Sequence, residues 1–396
     1  MKFSILSLIS VCFLATSCHN EKAITITSND YCAAVDTVTG IMVHDIFSPP
    51  VASRIYVYPN VAAYEIMVQN SKEYHSLQGQ LKGLDSIPVL DPKSGVNVPL
   101  AALIAQMEVS KKLVFSEEAI EKYRDSLYAK WSDENEKEFE VSKEYALKVV
   151  DRIAKWMGKD NYKETRTMPK YSVHADQPAR WQPTPPAYMD AVEPHWGKIR
   201  TLVMDSSAQF KAKAPFPFST DKSSDFYREA KETYDVGNKI SKDLLAMENT
   251  KSTKIPEESA IATFWDCNPY ATVTQGHMMF AKKKNTPDAH WINIAKIACK
   301  TAKTDFNKTV FVYTKTSIGV FESFISCWDQ KFKTNVVRPE TYINQYIDEN
   351  WKPQLQTPPF PEYTSGHSVL SACSAEILTA IFGDNFAYVD DSEIPF

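Results

Sequence analysis

The chain has 396 residues, which is enough to bury a large core in one or two domains. Hydrophobic residues make up 43% and charged residues 23%, the mixture of a soluble globular protein, and the net charge of -5 argues against a nucleic-acid partner. Only 11 glycines accompany 23 prolines, which favours helices joined by proline-bearing loops over a many-stranded sheet.

The amino-terminal segment is typical of an export signal. Lys2 precedes a short apolar run and small residues that end at Cys18, and the run is too short for a stable membrane-spanning helix. The sequence "LATSC" resembles the bacterial lipobox, so residues 1–17 are predicted to be a lipoprotein signal peptide and Cys18 the lipidation site. The mature chain would then be an exported lipoprotein, periplasmic or at the cell surface, attached to a membrane through Cys18. A plain secretory signal with an incidental cysteine is the alternative.

Apolar periodicity predicts helices over most of the remaining chain. Residues 116–131 and 139–158 each carry an apolar stripe whose members recur every three or four residues. Residues 159–224 are rich in proline and aromatic residues and are predicted to be long ordered loops around a helical body. The same reasoning predicts further helices over residues 224–248, 290–303 and 309–332. No internal repeat or clear linker is visible, so the prediction is a single all-α domain from residue 18 to residue 396.

The cysteines beyond Cys18 are odd in number and widely spaced, which indicates neither a zinc site nor a disulfide framework. No metal-ligand set is predicted. These cysteines are expected to be buried core residues: Cys32, Cys267, Cys299, Cys327 and Cys373.

A pair of cations forms the first motif with chemical potential. Lys331 is followed by six residues and then by Arg338-Pro339, and Pro339 places Arg338 at a helix boundary. Lysine and arginine suit a multiply charged oxyanion, because one is a point charge and the other a planar fork of donors.

The second motif, "TSGH", opens an apolar run that is predicted to be a helix. A helix that begins near Thr364 would direct free backbone N–H groups and a partial positive charge at an anion. Gly366 would let the backbone approach the anion, and His367 would stand beside it as an acid or base. The two motifs together predict an oxyanion pocket.

Each residue also has a simpler interpretation. Lys331 alone is typical of a solvated charge, and Arg338 before a proline is typical of a helix end. Thr364 or Ser365 alone would be explained as a helix N-cap, and His367 alone as a structural histidine. The joint spacing favours the site.

That spacing resembles the superfamily of type 2 phosphatidic acid phosphatases and vanadium-dependent haloperoxidases. Lysine, six residues and Arg-Pro, followed by a Pro-Ser-Gly-His element, is its pattern, and here Thr364 replaces the proline. Similarity to the exported haloperoxidase-related branch extends over residues 190–390 and includes "SIGVFESFISCWDQKF" and "TPPFPEYTSGHSVLSACSAEILTAIFGD". The resemblance implies an all-α fold with a helical-bundle core and long proline-rich loops.

The resemblance also implies roles for individual residues, with vanadate as cofactor or phosphate as substrate in the same pocket. Lys331 and Arg338 would hold equatorial oxygens of the anion. Ser365 and the N–H of Gly366 would donate further hydrogen bonds, and His367 would be the catalytic acid or base. Trp328 and Phe360 resemble pocket-wall residues, although core packing explains them equally well.

The sequence departs from the family pattern at the third element, a Ser-Arg pair followed by a histidine. No arginine follows Arg338 and no histidine follows His367. We therefore expect the chain to be C-terminally incomplete and its activity to be impaired. Substitution of the absent histidine by His277 or His290 is the alternative, which their spacing does not support.

The resemblance implies two reactions for one pocket. The favoured function is that of a vanadium-dependent haloperoxidase, which oxidises halide with hydrogen peroxide. The alternative is a phosphomonoesterase or lipid phosphatase, in which the same groups stabilise a phosphoryl transition state. A non-catalytic binding protein that keeps the fold is the third possibility.

Overall fold

The computed structural model describes residues 22–266, 268, 272–275, 278–281 and 285–391, so the export signal and Cys18 lie outside the described residues. The helices of this part are α1 (Ser28–Asp45), α2 (Pro49–Met67), α3 (Val98–Lys111), α4 (Glu117–Met157), α5 (Tyr162–Thr165), α6 (Asp225–Thr250), α7 (Glu257–Phe264), α8 (Pro287–Ala302), α9 (Phe306–Thr334), α10 (Pro339–Tyr346) and α11 (Gly366–Phe382). The described part also contains two 3-10 turns, Val68–Asn70 and Trp196–Lys198. Two short strands, β1 (Thr272–Gln275) and β2 (Met278–Ala281), form an antiparallel pair. The predicted all-α fold is confirmed.

Helix α9 lies at the centre of the fold and leads to the site. It begins where the Asp305 side chain accepts a hydrogen bond from Lys308 N at 2.8 Å, and it ends where Asn335 adopts a left-handed conformation with φ of 53°. Most of its residues are buried, and it packs against α1, α2, α8 and α11. Burial of nearly the whole circumference is typical of a core helix. The last turn of α9 is therefore held on a rigid support.

A glycine allows α11 to approach α9 closely. A Cβ atom on Gly319 would lie 2.3 Å from Cδ1 of Ile377 and 3.0 Å from Sγ of Cys373, so a larger residue would force these side chains or the helix to move. At the neighbouring contact, the Cys327 thiol lies 3.4 Å from the Thr364 hydroxyl. The packing thus brings the start of α11 beside the last turns of α9, where the two predicted motifs lie.

The predicted helices are confirmed with small shifts of their ends. The two stripes at 116–131 and 139–158 fall in α4, which has a non-helical backbone at Asn135 (φ −163°, ψ 90°) between them. Residues 159–224 contain only α5 and one 3-10 turn, as predicted for loops. Periodicity does not single out α2 and α3, because nearly every residue of these helices is buried and no polar face is left to mark them.

Three further outcomes concern the cysteines, the membrane and the domain. Cys32, Cys299 and Cys327 are buried as predicted, whereas Cys373 is only partly buried and Cys267 lies outside the described residues. In the described ranges no helix is both long and apolar enough to cross a membrane. The single domain from residue 18 to residue 396 stays a prediction.

Candidate active site

Three helix ends meet at one cavity of about 350 Å³. Lys331 lies in the last turn of α9, Arg338 is the residue before α10, and Ser365 is the residue before α11. The cavity is lined by every site residue that the sequence predicts within the described part: Trp328, Lys331, Arg338, Phe360, Ser365, Gly366 and His367. The predicted lipidation site Cys18 lies outside the described residues. The geometry thus brings the two motifs together, while the role of each residue stays a prediction.

Lys331 is a buried cation held by main-chain oxygens. Its ammonium group donates to the carbonyl of Pro361 at 2.8 Å and to the carbonyl of Glu362 at 3.1 Å, and 1% of the residue is exposed. Burial lowers the pKa of Lys331 to about 8, and the nearby Cys327 and Glu362 oppose this while Arg338 adds to it. The group is therefore still cationic at neutral pH and retains a third N–H that these two carbonyls do not use.

Arg338 has one orphaned donor. Its Nε donates to the carbonyl of Phe360 and its Nη1 to Oε2 of Glu362, both at 2.6 Å. Its Nη2 is buried and meets no acceptor among the described residues. An unpaired buried donor costs about 1–3 kcal/mol, more when it is charged, so this atom points to a ligand.

The ring of Phe360 contacts both cations and the indole ring of Trp328. The Lys331 ammonium is 4.9 Å and the Arg338 guanidinium 4.8 Å from the centre of its ring. The Trp328 ring centre lies 5.0 Å from that of Phe360, and the indole N–H of Trp328 donates to the Val192 carbonyl at 3.1 Å. Aromatic faces attract cations more strongly when water is excluded. These rings therefore hold both cations in place and line the cavity.

The start of α11 has the geometry expected of an anion-binding helix end. The Ser365 hydroxyl accepts a hydrogen bond from Ser368 N at 3.2 Å, so Ser365 is the N-cap, and Thr364 is not. A Cβ on Gly366 would come no closer to protein than 3.8 Å, from Cζ3 of Trp328. Protein packing therefore does not demand glycine here, and both Ser365 and Gly366 line the cavity.

The surroundings of His367 favour the neutral form of its imidazole ring. Burial lowers its pKa most, His290 and Lys331 lower it further, and Asp266 opposes them. Its Nε2 is buried with no hydrogen-bond partner in the described part of the chain. A neutral imidazole with a free nitrogen can take or give a proton at the cavity.

His290, one of the two alternatives for the absent histidine, lies close to this ring. Trp265 contacts both histidines, with ring centres 5.2 Å from His290 and 6.1 Å from His367. Nε2 of His290 is engaged by Oδ2 of Asp390 at 2.7 Å. The other alternative, His277, lies outside the described residues.

Sequence reasoning missed several residues of the cavity wall. Trp265 and Trp351 come from segments far apart in the chain, and both lie outside the two motifs that predict the pocket. Glu340 and Glu362 also line the cavity, and burial raises the pKa of Glu340. Acidic residues are not expected around an anion, so their negative charge gave no reason to predict them as residues of this site.

In the described part, His, Cys, Asp and Glu side chains form no group of three that could hold a metal ion.

The fold and the cavity define a helical-bundle protein whose pocket is lined by two buried cations, Lys331 and Arg338. A family model, the VCPO second helical-bundle domain, matches residues 344–394. The chain is 55% identical to a bacterial vanadium-dependent iodoperoxidase of known crystal structure, with a TM-score of 0.88, and the match covers 95% of this chain and 86% of that chain. The chain therefore belongs to the vanadium-dependent haloperoxidases.

More distant structures share the fold. The apo-type and holo-type crystal structures of a bacterial vanadium-dependent chloroperoxidase are 14% and 15% identical to this chain, with TM-scores of 0.53 and 0.52. Each match covers 85% of this chain, and 78% and 77% of those chains. Among curated proteins nothing matches.

Proposed function

We propose that this protein oxidises iodide with hydrogen peroxide and that vanadate is held in the cavity at the ends of α9 and α11. The carrying observation is the orphaned Nη2 of Arg338, a residue that lines the same cavity as the buried Lys331. The 55% identity to the iodoperoxidase supports iodide as the halide. Fixed cations and free N–H groups fit a tetrahedral oxyanion, whether vanadate or phosphate.

The residues have distinct tasks in this proposal. Lys331 and Arg338 bind and neutralise the anion, and both are already fixed before it arrives, so little reorganisation opposes binding. Ser365 and the N–H of Gly366 hold further oxygens at the start of α11, where the helix dipole favours negative charge. His367 holds or delivers a proton through Nε2. Vanadate, when bound, supplies the centre at which peroxide is activated toward halide.

The test is an assay of iodide oxidation with added vanadate and hydrogen peroxide, followed by the absorbance of triiodide. Arg338→Ala is expected to abolish most turnover and to weaken vanadate binding measured by calorimetry, whereas His367→Ala is expected to lose turnover while it keeps most binding. Hydrolysis of p-nitrophenyl phosphate without iodide oxidation would favour the phosphatase alternative and contradict the proposal.

The expected third motif beyond residue 396 stays a prediction. The assay is therefore run on this chain and on a chain extended by the downstream in-frame codons, as the impairment predicted above requires. Turnover that appears only on extension supports that expectation. Equal turnover of both chains contradicts it. We also propose that the chain is exported and lipidated at Cys18.

A further inference from the structure

A carboxylate stands inside this anion pocket. Oε2 of Glu362 accepts a hydrogen bond from Nη1 of Arg338 at 2.6 Å, and 42% of the Glu362 side chain is exposed where it lines the cavity. The main chain of the residue is fixed at both ends, because its N–H donates to the Val336 carbonyl at 3.0 Å and its carbonyl accepts from Lys331. The position of this negative charge is therefore defined, and it is not a mobile surface group.

Glu362 presents only acceptors to the cavity. Partial burial opposes its ionisation, but the charges of Arg338 and Lys331 outweigh burial and hold the pKa of Glu362 below its ordinary value. An ionised carboxylate has no proton to donate, and Oε2 is already used by Arg338. The second oxygen, Oε1, has no hydrogen-bond partner in the described part of the chain. The cavity thus offers free donors, Nη2 of Arg338 among them, and Oε1 of Glu362 is the acceptor oxygen next to that guanidinium. Oε2 of Glu340 and Nε2 of His367 are also unpaired among the described residues of the same lining.

We propose that Glu362 makes the cavity selective for oxyanions that carry a proton, such as hydrogen phosphate and hydrogen vanadate, over fully deprotonated ones such as sulfate. The inference deepens the proposed function and rests on it. A protonated anion donates its O–H to Oε1 of Glu362 and accepts from Arg338 and Lys331 with its other oxygens. Sulfate has no proton at neutral pH, so its oxygen would face the carboxylate oxygen with no hydrogen between them.

The experiment compares phosphate with sulfate, two tetrahedral anions of similar size, by isothermal calorimetry at constant ionic strength and neutral pH. Wild-type protein is expected to bind phosphate about 10- to 100-fold more tightly than sulfate, the scale of one hydrogen bond to a charged group. Glu362→Gln keeps the length of the side chain and an acceptor for Arg338, but it can present an N–H to the cavity. We expect this variant to bind the two anions within about threefold of each other.

The comparison variant is Glu340→Gln, which alters the second acidic side chain of the same cavity wall, whose Oε2 is also buried and unpaired among the described residues. Because Glu340 does not hydrogen-bond to Arg338 and burial raises its pKa, we expect this variant to keep the wild-type ratio of phosphate affinity to sulfate affinity. A ratio that falls equally in both variants would show that selectivity does not depend on Glu362 in particular and would overturn its role.

The remaining outcomes separate this inference from the proposed function. If wild type binds sulfate as tightly as phosphate, and Arg338→Ala weakens both, the oxyanion site stands and the selectivity is wrong. If wild type binds phosphate, sulfate and vanadate no better than Arg338→Ala does, the oxyanion site fails and the selectivity fails with it. If Glu362→Gln keeps the wild-type ratio, Glu362 is not the selective group.

Discussion

Replacement of Lys331 by methionine tests the anion site most directly. Methionine has a similar length and no charge, and it suits the buried position of the lysine, which is 1% exposed. The variant loses one charge-assisted hydrogen bond to the anion, so we expect its affinity for phosphate or vanadate to fall by on the order of 1.5–3 kcal/mol. That loss corresponds to about 10- to 150-fold in the dissociation constant. Calorimetry measures it.

The pH dependence of phosphate affinity provides a second test of the role of Lys331. Burial lowers the pKa of Lys331 to about 8, so the free protein loses this charge as the pH rises through 8. Phosphate stays a dianion from pH 8 to 10, and its affinity for wild type should therefore fall by up to about tenfold per pH unit. Burial raises the pKa of the neighbouring Cys327 thiol, which keeps it neutral at the lower end of this range. Lys331→Met should show a flat profile at its reduced affinity.

The matched control is Lys333→Met, two residues further along α9. Lys333 pairs with Asp329 at 2.6 Å, and 57% of its side chain is exposed, so its loss should leave phosphate affinity and its pH profile unchanged. Thermal unfolding followed by circular dichroism shows that each variant is folded. Wild-type affinity in Lys331→Met, or a pH profile that persists in it, would refute the assignment of Lys331 to the anion.

Three further predictions concern packing, buried charge and export. Gly319→Ala places a methyl group against Ile377 and should lower the free energy of unfolding in urea by about 1–3 kcal/mol. Gly40→Ala is the comparison, because no atom lies within 4 Å of its new methyl group. It should raise the free energy of unfolding by about 0.5–1 kcal/mol. Asp160→Ala removes an acceptor 2.6 Å from the buried guanidinium of Arg54 and should cost about 3–5 kcal/mol in the same assay. Cells that express Cys18→Ala should lose the labelling by a fatty-acid analogue that the unaltered chain shows.

The outcomes that contradict these predictions are specific. Equal stability of the two glycine variants would mean that α9 and α11 do not approach as closely as described. For the Asp160 variant the comparison is Lys170→Ala, which breaks an exposed ion pair with Asp190 and should change stability by less than about 1 kcal/mol. A similar loss in both would remove the special role of the buried pair. Equal lipid labelling with and without Cys18 would exclude lipidation there.

Local sequence was enough to predict the cationic half of the cavity. Pro339 forces a boundary beside Arg338, and Ser-Gly before an apolar run marks the helix start at Gly366, so chain geometry alone places these groups at helix ends. Their convergence on one cavity follows from the close packing of α9 and α11. Gly319 lies at that contact, and from sequence alone a glycine inside a helix indicates only a weak point in the helix.

The rest of the wall could not be predicted, for two physical reasons. Trp265 and Trp351 reach the cavity only through tertiary packing, and a buried tryptophan has the same sequence signature wherever it packs. Glu362 was visible in the quoted motif, but its charge is opposite to that of an anion-binding residue. Its location in the cavity is explained only by the structure, in which Oε2 of Glu362 accepts from Arg338 and Oε1 is left for an anion.

The main-chain hold on Lys331 has a consequence for how this region can change over evolution. The acceptors are the carbonyls of Pro361 and Glu362, and every amino acid carries a carbonyl. Substitutions at position 361 therefore preserve the contact, whereas an insertion or deletion between Pro361 and Gly366 would shift these acceptors relative to the start of α11. The strip before α11 is constrained in its length more than in its composition. A library of single-residue insertions there should lose anion binding far more often than a library of substitutions at position 361.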